Sequence, residues 1–177
     1  AEDVKATLNV PLFNRSAYDG YAYRASDVQE ASKDHPITLR IIDEIPAGTF
    51  STCEVVEGSA VKILTGAPIP KGADVVSKYE VTTFSDQTVT VYEALQSGSN
   101  IVKIGEDVQA GTIIASKGMK MDAGLMGSLA SQNIEYVKAY KIPKIAIVST
   151  GSELLKVGSP IELGKIYNSN EYMLKGA

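Results

Sequence analysis

From Ile37 to Ser116 the chain is a succession of short β-branched runs, each stopped by glycine or proline. Ile37 to Ile45 ends at Pro46-Ala47-Gly48, and Ser59 to Leu64 ends at Thr65-Gly66-Ala67-Pro68. Val75 to Phe84 and Thr88 to Ala94 flank Ser85-Asp86-Gln87, the pattern of a hairpin. Asn100 to Ile104 and Gly111 to Ser116 read as two further short strands. Stops this close together leave no room for ordinary helices, so the stretch is expected to be a mainly β module.

The flanks read differently. Arg24 to Lys33 fits a short helix with Ser26 as N-cap, ended by His35-Pro36. Asp122 to Asn133 changes to helical spacing, with Leu125, Met126, Leu129 and Ala130 on one stripe, Asp122 as N-cap and Asn133 as a left-handed cap. Ile134 to Tyr140 is expected as a strand. Lys144 to Val148 is a nearly unbroken apolar run, the look of a strand buried on both faces of a parallel sheet. A last helix is expected over Asn170 to Lys175, capped by Asn168 or Ser169. Strand, glycine loop and helix together read as the opening of an α/β domain, and the chain is expected to be a fragment.

Composition removes several function classes. The 177 residues carry 17 basic and 21 acidic side chains, a net charge of −4, with no basic block. Nucleic acid and membrane are therefore not expected as partners. One cysteine, Cys53, and one histidine, His35, rule out an internal disulfide and a Cys/His zinc site in this chain. A lone cysteine favours a reducing, cytoplasmic setting. Neither a Ser-His-Asp nor a Cys-His nucleophile has support.

Four loops hold the chemistry. Ser16-Ala17-Tyr18-Asp19-Gly20-Tyr21-Ala22 sets an acid beside a glycine and between two tyrosines. Gly105-Glu106-Asp107 and Gly151-Ser152-Glu153 repeat the glycine–acid pairing. Such acids suit a hard cation such as Mg²⁺, which takes carboxylates, waters and substrate phosphates, or serve as general bases. They equally suit turns. Thr65-Gly66-Ala67-Pro68-Ile69-Pro70-Lys71-Gly72-Ala73-Asp74 is stiffened by two prolines, with Thr65 at its strand end. Ser149-Thr150-Gly151 follows the apolar run at the carboxyl end of a strand, where α/β sheets bind ligands.

These motifs, in this order and at similar spacing, resemble the MoeA family of molybdopterin molybdenumtransferases, which is related to the E domain of gephyrin. Ile166-Tyr167-Asn168-Ser169-Asn170 joins the resemblance. It implies an elongated, mainly β (α+β) fold of coiled, bifurcated sheets in two subdomains, one inserted in the other. Residues 1–36 with 117–142 would form the first subdomain, 37–116 the inserted one, and 143–177 the truncated start of a pterin-binding α/β domain. It implies an enzyme that inserts molybdate into adenylylated molybdopterin with Mg²⁺ and releases AMP. The alternative is a non-catalytic scaffold of the gephyrin type.

Carried over by position, Asp19, Thr65, Asp107 and Glu153 are the implied catalytic residues. Asp19, Asp107 and Glu153 are the implied metal ligands. Ser149, Thr150, Gly151, Lys103 and Glu80 are implied to bind substrate. A homodimer with its cleft built between subunits is implied, as is a molybdopterin adenylyltransferase partner. Some positions depart from the pattern. Tyr18 stands for the usual methionine, Ser152 and Asn168 for aspartates, and Val102-Lys103-Ile104 for a segment that usually carries arginine. Lysine keeps the charge there but loses the bidentate fork.

Overall fold

The computed structural model describes residues 1–46 and 48–177; Ala47, in the expected Pro46-Ala47-Gly48 strand ending, lies outside them. In chain order the strands are β1 (Val4–Lys5), β2 (Arg15–Ser16), β3 (Gly20–Tyr23), β4 (Ile37–Ile45), β5 (Ser59–Ile63), β6 (Val75–Lys78), β7 (Thr82–Phe84), β8 (Thr88–Val91), β9 (Ile101–Val102) and β10 (Ile113–Ala115). Helix α1 (Ala123–Ser131), β11 (Leu154–Leu155), β12 (Ile166–Tyr167) and helix α2 (Ser169–Gly176) follow. The protein is mainly β. Residues 1–138 and 139–177 form two compact units.

The first unit is organised on a six-stranded sheet of order β6-β3-β5-β4-β8-β7. Strand β4 changes partner midway. Ile37 to Arg40 pair antiparallel with β8, and Arg40 to Ile45 pair parallel with β5 across a bulge between Ile41 and Asp43. That exchange curls the sheet, because a bulge bends its strand and strengthens the local twist. The β7–β8 hairpin forms as the sequence predicts.

Strand β3 is buried along its whole length. Tyr21 and Tyr23 enter one core with Val28, Leu39, Val75, Val89 and Val91. Ala22 enters the other, with Ile45, Val61, Ile63 and Val76. Alternation thus feeds two cores from one sheet. Each fully buried valine or isoleucine there contributes about 1.5–3 kcal/mol.

Strand pairing runs across the sequence positions 36/37 and 116/117. Gly20 to Tyr23 are hydrogen-bonded on both sides to strands of the expected insert. Conversely, β9 and β10, expected within the insert, pair with β2 and β1.

Helix α1 caps as the sequence predicts. The Asp122 carboxylate accepts the Leu125 N–H at 2.8 Å, and Asn133 takes φ 55°. Its buried Leu125 and Leu129 pack with Ala115, Val4 and Val137. The expected helix over Arg24 to Lys33 shrinks to one 3₁₀ turn, Ala25–Val28, without a side-chain N-cap. Asp74 takes that role instead, accepting the Ala25 N–H at 2.7 Å. The strands expected over Ile134 to Tyr140 and Lys144 to Val148 do not form. A strand buried on both faces needs neighbours on both sides. Among the described residues none pairs with Lys144 to Val148, and Ile145 and Val148 are exposed. In the second unit, β11 and β12 pair in parallel. There Asn168 caps α2, its side chain accepting the Glu171 N–H at 3.3 Å.

Candidate functional site

Residues 10–19 run between two loops and are laced to both. On one side, Ser16 donates its N–H to the Ala67 carbonyl at 2.9 Å and accepts from the Gly66 N–H at 2.9 Å. Ile69 N–H donates to the Asn14 carbonyl at 2.9 Å. The proline-stiffened Thr65 loop is thereby fixed in register. Gly66 makes its turn at φ 82°, a left-handed conformation that costs glycine nothing. On the other side, β2 pairs with β9, and Ala17 N–H donates to the Asn100 carbonyl at 3.1 Å. Further along, Gly105 N–H donates to the Pro11 carbonyl at 3.0 Å and Asp107 N–H to that of Val10 at 2.9 Å.

The lacing brings Asp19 and Thr65 together. The Asp19 Oδ1 accepts the Thr65 N–H at 2.6 Å and its hydroxyl at 2.7 Å. Both donors favour the charged form, so they hold the carboxyl below its ordinary value of 3.8. Asp19 is therefore an ionised acceptor near neutral pH, not a proton donor. Its own carbonyl accepts the Tyr79 N–H at 3.2 Å. The following Gly20 is required by space: a Cβ there would lie 1.8 Å from the Ser77 carbonyl oxygen.

Tyr18, in place of the usual methionine, offers its ring to a cation. Lys78 Nζ lies 3.9 Å from the ring centroid, a cation–π contact that a methionine would not make. Sequence reasoning missed Lys78. Its signal is structural: Lys78 pairs with Gly20 across the sheet, two residues from Tyr18. Asn14 was missed as well. Its Oδ1 accepts the Ile104 N–H at 2.8 Å while its backbone holds Ile69.

The other expected residues are placed as follows. Asp107 is tied by its backbone to Val10, with its side chain exposed. Lys103 is exposed, and its N–H donates to Glu106 Oε2 at 2.9 Å. Glu80 is exposed on the 3₁₀ turn Tyr79–Val81. In the second unit, Ser149 and Thr150 line a groove with Ile166, Tyr167, Asn168 and Ser169. Gly151 sits at φ 153°, where a Cβ would meet the Glu153 carboxylate at 2.6 Å. Among the described residues no three His, Cys, Asp or Glu side chains are grouped to hold a metal ion. Thr65 takes one oxygen of Asp19, and the Glu153 carboxylate lies against Gly151.

Residues 1–132 match the family model described as the MoeA N-terminal region (domain I and II). The chain belongs to the MoeA family. A molybdopterin molybdenumtransferase of Staphylococcus epidermidis is 42% identical over 175 residues, 99% of this chain and 42% of that protein. That of Staphylococcus aureus is 41% identical over the same span, again 42% of its length. A crystal structure of the molybdopterin biosynthesis MoeA protein from Pyrococcus horikoshii OT3 superposes with a TM-score of 0.91 at 38% identity, over 99% of this chain and 47% of that one. A second Pyrococcus MoeA structure gives a TM-score of 0.88 at 33% identity, over 98% of this chain and 44% of that one. This MoeA chain thus spans less than half the length of these relatives.

Proposed function

We propose that this chain is the N-terminal part of a molybdenum insertase, transferring molybdate into adenylylated molybdopterin with release of AMP. The observation that carries the reading is the Asp19–Thr65 clasp. It is an exposed carboxylate, held ionised by two short bonds, at the junction of the loops that the MoeA resemblance marks as catalytic. A scaffold that only organises partner proteins needs no such carboxylate.

Chemically, a fixed carboxylate does not attract an oxyanion. It receives a hydroxyl or amine hydrogen of the pterin substrate, or faces the cation that accompanies the substrate's phosphates. Mg²⁺, when bound, would neutralise phosphate charge. Asp107 and Lys103, on the loop laced to residues 10–17, are proposed to border the same substrate. Glu80 is placed one residue beyond Tyr79, whose N–H holds the Asp19 carbonyl. Ser149 and Thr150, which line the groove of the second unit, are proposed to meet the pterin, together with Gly151 and Glu153 of the loop that follows them.

The proposal extends to a homodimer, to a molybdopterin adenylyltransferase that supplies the substrate, and to a cytoplasmic reaction. No helix among the described residues is long and apolar enough to cross a membrane. The test is molybdenum insertion by the full-length protein, wild type against Asp19→Asn. Asparagine keeps an acceptor for Thr65 but loses the charge, so the loop holds while insertion falls by about a hundredfold or more. Insertion at the wild-type rate by a folded Asp19→Asn protein refutes the assignment.

A further inference from the structure

We propose that Arg15 is an oxyanion-binding residue of this site, holding a tetrahedral oxyanion on its guanidinium. Its place in the fold is specific. Arg15 stands opposite Val102 in the β2–β9 pair, and on its other side it bridges to Pro68 of the Thr65 loop. It therefore lies on the same lace as Asp19, four residues before it, between the two loops that bound the site.

The three arginines of the chain contrast with one another. Arg24 has Asp27, whose carboxylate lies 3.5 Å from its Nε. Arg40 is exposed to water. Arg15 is half-buried, and its Nε is fully buried without an acceptor. Among the described residues no carboxylate lies within ion-pair distance of its guanidinium, although Arg24, Lys62, Lys71, Lys138 and Lys175 all have such partners. A buried N–H donor without an acceptor is costly, and native proteins rarely leave one unmet. The terminal Nη1 and Nη2 are not buried and take no partner among the described residues, so an oxyanion reaches them, and the planar fork of arginine matches its edge with two parallel bonds.

The location also separates charges usefully. Asp19, held ionised by Thr65 in the bend before β3, repels an anion from its own surroundings. An oxyanion on Arg15 is held on strand β2, four residues before that carboxylate and across the bend at residues 17–19. A substrate with its reacting group near Asp19 could then rest its anionic part on Arg15. Lys103, beside Val102, is exposed and adds positive charge on the same loop. The anion is either free molybdate or the phosphate ester of the nucleotide; both present the tetrahedral edge that Arg15 fits. This choice of anion rests on the insertase reading, whereas the site itself does not.

The test follows the Nε–H signal of Arg15 in the full-length protein labelled with ¹⁵N-arginine. Molybdate, inorganic phosphate, AMP and chloride are titrated separately at constant ionic strength. The expected result is a saturable shift of the Arg15 signal with molybdate or AMP and none with chloride. Molybdate alone identifies the free oxyanion as ligand; AMP alone identifies the phosphate ester. Affinity falls roughly tenfold in Arg15→Gln and less in Arg15→Lys, which keeps the charge without the fork. An Arg15 signal unmoved by all three oxyanions, or moved equally by chloride, overturns the proposal. So does a folded Arg15→Gln protein that binds as the wild type does. The wild-type titration needs no variant, so a misfolded substitution does not blunt it. Molybdenum insertion is measured on the same sample. Anion binding without insertion sinks the insertase reading and leaves Arg15 in place, whereas insertion without an Arg15 shift does the reverse.

Discussion

Thr65 spends both of its donors on one oxygen of Asp19, the amide at 2.6 Å and the hydroxyl at 2.7 Å. Oδ2 takes no bond from the described residues. The carboxylate is thus oriented by one atom and presents the other. Thr65→Val removes the hydroxyl but keeps the amide donor and the side-chain shape. Insertion by the full-length protein should then fall about tenfold, less than for Asp19→Asn, because a loosened group is mispositioned rather than lost. A kcat loss as large as that of Asp19→Asn would mean that Thr65 itself touches the reacting atoms.

The same two bonds set a pH dependence. Asp19 titrates below 3.8 in the folded chain, chiefly through the Thr65 hydroxyl and next through the Thr65 amide. A depressed carboxyl stabilises the fold fully above its unfolded pKa, and that contribution is lost as pH falls through the folded value. The window therefore lies in acid, below 3.8. A carbon-detected NMR titration should place the Asp19 midpoint below 3.8 in the wild type and higher in Thr65→Val. An unchanged midpoint in the variant would show that the hydroxyl bond is absent in solution.

Much of this arrangement is legible in the sequence, for local reasons. The Asp122 cap, the left-handed Asn133 and the β7–β8 hairpin each depend on a few adjacent residues, and each forms. The approach of Asp19 to Thr65 is suggested only by the family resemblance, since the two lie 46 residues apart and meet through backbone lacing. Arg15 and Lys78 escape a reading of the sequence because their importance lies in what surrounds them: an absent counter-ion for one and a tyrosine ring for the other. The apolar run Lys144 to Val148 misleads in the opposite direction. Its pattern reports a preference for burial, and burial needs neighbouring strands that no local pattern supplies. Strand β3 is hidden for a similar reason, because four residues between a turn acid and a helix-like stretch show no clear period.

Gly20 can be tested against a glycine under no constraint. A Cβ at Gly20 meets the Ser77 carbonyl oxygen at 1.8 Å and its carbon at 2.8 Å. Both are backbone atoms of the paired strand β6, so the strands must part. Gly20→Ala should cost about 3 kcal/mol or more. Gly127 is exposed inside α1, and a Cβ added there would meet nothing within 4 Å. Gly127→Ala should instead stabilise by about 0.5–1 kcal/mol, since alanine is the better helix former. Urea unfolding of both variants makes the comparison. Equal midpoints would mean that β3 and β6 are not as closely paired as described.

Tyr79 offers a test of the packing behind Asp19. Its ring packs edge-on to Tyr21 with centroids 5.2 Å apart, and Phe84 lies 5.7 Å from both rings. Its hydroxyl is buried without a hydrogen-bond partner, and burial raises the phenol's pKa. A donor left unsatisfied in the core is a cost, so Tyr79→Phe should leave stability unchanged or raise it by up to about 1 kcal/mol. Tyr79→Ala loses the ring contacts as well and should cost about 2–3 kcal/mol. The Asp19 midpoint should stay depressed in Tyr79→Phe, because both Thr65 donors remain. Urea midpoints and the carboxyl titration check the two halves together. If Tyr79→Phe is destabilised by more than about 1 kcal/mol, the hydroxyl has an acceptor in solution, and the cluster is a polar support for Asp19 rather than an aromatic one.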